Sequence, residues 1–163
     1  MFANVNFSAF TATGDIQSEF GGLNALAATY LPVPFPLETT LAVRVGGSQV
    51  WGDFPFQEAA FIGGSPSVRG YPRQRFAGES SLFAGAELRT FLTRFKFISR
   101  GDLGVIGVLD AGRVFTGADT SDDWHTGCGG GVWVGILDRT RTFSAVVGHG
   151  ETTVLYLAFG MPF

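Results

Sequence analysis

Glu87 and Asp110 are the two carboxylates whose placement suggests chemistry, and Arg69 is the cation best placed to decide what that chemistry is. Both acids lie in segments of alternating apolar residues, SLFAGAELRTFL (81 to 92) and DLGVIGVLDAGRVF (102 to 115). These read as antiparallel strands turning near residue 97 or 98, which sets Glu87 opposite residues 108 to 110, with Asp110 on the same polar face. Two like charges nearly facing across a ladder destabilise it, and burial adds a desolvation cost. An arginine between them turns the pair into a stabilising network, because its planar fork gives two-pronged hydrogen bonds to carboxylates. Arg69, in GGSPSVRGY (63 to 71), is the candidate from a loop; Arg44, Arg89 and Arg113 are the candidates from strands. Three readings stand: charges screened in a solvated lumen, an Arg-bridged latch holding the loop to a wall, or a glycosidase-like acid/base pair. The last also needs a cleft of sugar-binding groups, which the sequence does not offer.

The elements that must hold these residues alternate in the same way. Residues 2 to 13 put Ala3, Val5, Phe7 and Ala9 on one face and Asn4, Asn6 and Ser8 on the other. Residues 20 to 31 alternate less cleanly, and a short helix competes with a strand there. PVPFP (32 to 36) reads as a turn, since prolines do not sit in a central ladder. Residues 38 to 46 form the next strand, and 46 to 79 a long loop, of a length that is uncommon unless functional. A turn over 93 to 101 separates the two acid-bearing strands. Strands over 124 to 136, 142 to 148 and 152 to 163 follow, with Cys128, Val132, Val134 and Ile136 outward on the first and Leu155, Leu157, Phe159, Met161 and Phe163 outward on the last. The opposite faces read as small or polar, and neither a helix nor a β-bulge is needed.

The 163 residues are 45% apolar, with 24 Gly, 17 Phe and 15% charged residues, and mean hydropathy is +0.24. No run approaches the ~18 apolar residues of a spanning helix. A chain this apolar without such a run is a soluble all-β domain or a membrane barrel, and the abundance of Phe favours the barrel, whose interfaces carry aromatic girdles. The expected fold is therefore all-β: one transmembrane, antiparallel, up-and-down barrel of about eight strands over residues 1–163, with a long inward-folding or capping loop. A net charge of −3 and a pI of about 5.2 leave no footprint for nucleic acid. Cys128 is the single cysteine, so no disulfide framework or cysteine metal site is expected. His125 and His149 read as exposed or packed rather than ligating, Trp51, Trp124 and Trp133 as interface or packing aromatics, and Cys128 as a small lipid-facing residue. GCGGG (127 to 131) lacks the Lys and helix of a phosphate loop, and GGSPS is not a nucleophile elbow. The start MFANVNFSAF has no signal-peptide pattern, so the chain is expected to be mature, trimmed or part of something larger.

Read together, FIGGSPSVRGY, AGAELR and LGVIGVLDAGRVF, with a terminal Phe163, resemble the C-terminal barrel region of the BamA/TamA outer-membrane assembly factor superfamily, the bacterial surface antigen family. The resemblance covers residues 39 to 163 through motifs and 2 to 38 through strand pattern. It implies an integral bacterial outer-membrane location and an inward-folding loop whose Arg69, Gly70 and Tyr71 meet Glu87 and Asp110. It also implies a C-terminal recognition signal at Phe159, Gly160 and Phe163, with Gly160 nearer the end than is usual. The resemblance also implies about sixteen strands and periplasmic repeat domains; in these 163 residues about half the strands and no repeat domain are expected.

The expected function is a non-enzymatic outer-membrane barrel acting on membrane lipid order or protein insertion. The alternative is a structural or passive barrel, or half of a two-chain barrel, that keeps the fold and has lost client handling. Expected partners are outer-membrane lipid, the insertion machinery during biogenesis, and a second copy in a homodimer; no cofactor or metal is expected. Closure is left open between a barrel of one chain, a barrel shared by two copies, and a barrel completed by another chain, since open edges are not tolerated in lipid. Inward Gly85, Gly104, Gly112, Gly129 and Gly131 are expected to leave room for the loop tip.

Overall fold

The computed structural model describes residues 2–10, 20–33, 37–96, 100–117, 123–136 and 141–160. It is all-β apart from one turn of 3-10 helix, Phe56–Glu58. The strands are β1 (Phe2–Phe10), β2 (Phe20–Val33), β3 (Thr39–Gly52), β4 (Ala60–Ile62), β5 (Phe76–Gly78), β6 (Ser80–Lys96), β7 (Arg100–Phe115), β8 (His125–Ile136), β9 (Arg141–His149) and β10 (Thr153–Phe159). Eight of them form one antiparallel sheet in the order β1-β2-β3-β6-β7-β8-β9-β10, and β4 pairs with β5 in a separate ribbon. Each long strand therefore lies beside its sequence neighbour, an up-and-down order broken only by the ribbon inside the loop. Among the described residues no ladder joins β1 to β10, and no helix is long and apolar enough to cross a membrane.

Several boundaries differ from the sequence expectation, each for a local reason. Residues 20 to 31 are strand, because β2 is paired on both sides, with β1 over Phe20–Ala28 and with β3 throughout. The expected turn at 32 to 36 begins later: Pro32 and Val33 still pair with Thr40 and Thr39. Pro32 is tolerated because β1 pairs only as far as Ala28, which leaves the end of β2 as a one-sided edge. Residues 34–36 lie outside the described residues, as do 11–19. β3 runs to Gly52, so the loop is shorter than 46 to 79, and the β4–β5 ribbon gives it internal structure. The expected turn at 93 to 101 is mostly strand, since Lys96 pairs with Arg100. A β-bulge between Phe91 and Thr93 does occur, contrary to expectation; it lies just beyond the row that carries Arg89 and re-aims the end of β6.

Period-two alternation separates two faces. On the outer face, Leu88, Leu109, Val132, Val147, Leu155 and Leu157 are exposed, as is Cys128. On the inner face, against which the loop packs, Arg44, Glu87, Arg89, Asp110 and Ser144 are buried. Contrary to expectation, this face is not uniformly small or polar. Ile106, Val108, Trp133 and Val146 form an apolar cluster there, joined by Phe91. Trp133 is thus a packing aromatic, while Trp51 and Trp124 are exposed. The inner face divides into an apolar region and a charged region, and the loop tip covers the charged one.

Candidate functional site

The site is built on four adjacent strands, β3, β6, β7 and β8, whose register decides which side chains meet. Arg44 of β3 pairs with Gly85 of β6, Gly85 with Asp110 of β7, and Asp110 with Gly127 of β8. Glu87 pairs with Val108, so the two acids share the inner face and lie diagonally across β6 and β7. Gly85 has no side chain to separate its neighbours: a Cβ there would stand 2.4 Å from Asp110 Oδ1 and 2.9 Å from Arg44 Nε. Arg44 Nη2 accordingly reaches Asp110 Oδ1 at 3.4 Å.

Arg69 enters this gap from the loop. Its Nε donates to Asp110 Oδ2 at 2.6 Å, its Nη2 to Asp110 Oδ1 at 3.0 Å, and its Nη1 to Glu87 Oε2 at 3.0 Å. Its backbone N–H also donates to Asp110 Oδ2, at 3.1 Å. Arg89 Nε donates to the remaining oxygen, Glu87 Oε1. All four carboxylate oxygens therefore accept from guanidinium groups, and Glu87 and Asp110 are 1% and 4% exposed. This suits a clamp, since neither acid presents an unengaged oxygen. Arg113 stands elsewhere, over the rings of Phe115 and Trp124.

The backbone of the loop tip is fitted as closely as the side chain. Gly127 faces the Arg69 carbonyl, which lies 2.0 Å from where its Cβ would be. Gly70 adopts φ +89, and a Cβ on it would meet Gly150 N and His149 C at 2.4 Å; only glycine satisfies both conditions. Its N–H donates to Tyr156 Oη at 2.9 Å, and its carbonyl accepts from Thr152 N at 2.9 Å. Tyr71 Oη donates to the Thr126 carbonyl at 3.2 Å. Arg75 makes a fork with Glu151 in the open, at 2.7 and 2.9 Å. The loop is thereby tied both to the acid-bearing strands and to the turn between β9 and β10.

The structure thus brings together Arg69, Gly70, Tyr71, Glu87 and Asp110. It adds Arg44 and Arg89 to the ion pairs and leaves Arg113 out. Of the glycines expected to make room, Gly85 and Gly112 underlie the tip, the latter against Val68, whereas Gly104 faces Trp133 and Gly129 and Gly131 face neighbouring backbone. Gly127 and Gly148, not among the glycines expected to make room, take the place of the last two beneath Arg69. Tyr156, Thr152 and the Arg75–Glu151 pair were also missed, because partners 76 or more positions apart leave no local signal. Phe159 points outward at 74% exposure, and Gly160 N donates to the Thr142 carbonyl; Phe163 lies outside the described residues. Among the described residues no three His, Cys, Asp or Glu side chains are grouped to hold a metal ion. Comparison with family models, with curated proteins and with solved structures returned no match, so the site is read from its own geometry.

Proposed function

We propose that this chain is a non-enzymatic barrel of the bacterial outer membrane, related to protein assembly and translocation factors and acting on membrane lipid order or protein insertion. The observation that carries the reading is the inverted distribution of polarity. Arg69, Glu87 and Asp110 are buried on the inner face, while Leu109, Leu155 and Leu157 are 65%, 60% and 63% exposed on the outer face. A sheet facing water on that side gains nothing from such an apolar surface, whereas lipid is the solvent it fits. The 17 residues of β6 and 16 of β7 exceed the ~9–11 that cross a bilayer.

Unpaired edges cost several kcal/mol per exposed group in hydrocarbon, so β1 and β10 must find partners. A second copy supplies both edges at once, which makes a homodimer the favoured assembly. The pinning of the loop tip at the acids and at the β9–β10 turn favours a second reading, a passive barrel whose loop does not move. The membrane reading is tested by folding the purified chain with and without lipid vesicles. A strand signal in circular dichroism and a sharp thermal transition are expected only with lipid; a folded, monodisperse chain in plain buffer overturns the reading. A deletion strain with unchanged outer-membrane protein levels and lipid asymmetry would favour the passive barrel.

A further inference from the structure

A second site lies beside the clamp, on the β2–β3 side of the loop. An open cleft of about 510 Å³ is bounded by Asn24 of β2, Ser48 of β3, Phe83 of β6, and Phe61, Arg73 and Gln74 of the loop, with Asn24, Arg73 and Gln74 exposed at its rim. Within its wall Ser48 Oγ donates to Asn24 Oδ1, and the Phe83 ring lies across Gly46, 2.6 Å from where a Cβ would stand. The loop side holds two further features. Among the described residues, Gln74 is the one non-glycine residue with positive φ, at 56°, a backbone state that costs free energy and tends to mark functional sites. Arg73 has its stem against Gly64, 2.8 Å from Cγ to a Cβ position. Arg69 and Arg75 of the same loop are paired with carboxylates. Arg73 and Gln74 show no hydrogen bond or ion pair among the described residues.

We propose that this cleft binds a phosphorylated sugar, either free or as the headgroup of a glycolipid. Each part of that ligand has a complementary part of the wall. Arg73 supplies the fixed positive charge and fork geometry that suit a phosphate. Asn24, Ser48 and Gln74 supply amide and hydroxyl groups, which donate and accept as sugar hydroxyls require. Phe61 and Phe83 supply apolar surface for the ring's C–H faces. A cleft of about 510 Å³ falls in the ~300–1,000 Å³ range of small-ligand sites and is far larger than a bare phosphate needs. The proposal is independent of whether the outer face meets lipid.

The test is calorimetric titration of the purified full chain in detergent with glucose 6-phosphate, glucose and inorganic phosphate. Glucose 6-phosphate is expected to bind at least ~10-fold more tightly than either of the others. Arg73→Ala should remove its advantage over glucose. Gln74→Gly accepts the positive φ, so the fold is kept, and should weaken both sugars alike. Circular dichroism of each variant, matched to the parent, excludes misfolding as the cause. Equal affinity for glucose 6-phosphate and inorganic phosphate, no binding of any of the three, or an unchanged Arg73→Ala variant overturns the proposal. Competition by micelles containing a phosphorylated glycolipid identifies the headgroup as a source; binding of the soluble sugar phosphate without such competition identifies the free ligand.

Discussion

At the residue scale, the clamp is defined by how completely Arg69 is used. Replacing it with alanine removes three side-chain hydrogen bonds to two buried acids. Arg44 and Arg89 still face Asp110 and Glu87, so the loss should fall at the low end of the ~3–5 kcal/mol for breaking a buried pair. Thermal denaturation in detergent, or heat-modifiable gel mobility, reads the effect; unchanged behaviour would mean that the clamp does not hold the loop. Arg69→Lys should fall between alanine and the parent, because it keeps the charge and loses the fork. Gly127→Ala provides an independent check that leaves every charge in place. Its Cβ would meet the Arg69 carbonyl at 2.0 Å, and overpacking of this kind costs about 1–3 kcal/mol. The expected outcome is a lower melting temperature and faster proteolysis within the loop.

At the scale of the element, the loop has two attachments of different character. The Arg69 attachment is buried, whereas Arg75 and Glu151 meet in solvent. The Arg75 fork holds the Glu151 carboxyl below its ordinary value near 4.5. A carboxyl depressed in the folded state contributes above its unfolded value, and loses that contribution as pH falls through the folded one. Limited proteolysis of the loop should therefore separate the parent from Glu151→Gln at pH 7. The two should converge once the pH falls below the depressed Glu151 value. A difference that persists unchanged into that acid range would show that the fork does not fasten the β9–β10 turn.

At the scale of the whole molecule, the two ends of the sheet, β1 and β10, govern assembly. β1 and β10 have no ladder between them among the described residues. Two copies in lipid can satisfy four edges through two new ladders, so the detergent-solubilised particle is expected to carry the mass of two chains. Analytical ultracentrifugation or light scattering measures this directly. A particle of one chain, corrected for bound detergent, would mean that the sheet closes on itself.

Alternation made the strands, their order and the hairpin centre legible from the sequence. It also put Glu87 and Asp110 on one face, where their shared charge called for an arginine. Boundaries were less legible: Pro32 stays in β2 because its neighbour β1 is short there, and pairing length is not a local property. The bulge at Phe91/Thr93 likewise depends on how two strands adjust to each other. The sequence alone offered four arginines for the acid pair, and tertiary structure selected three. Arg69 reaches both acids because glycines on β6, β8 and β9 clear the inner face beneath the loop tip, whereas Arg113 lies over Phe115 and Trp124. Residue type and period determined which groups need one another; only the packed chain decided which of them are close enough to meet.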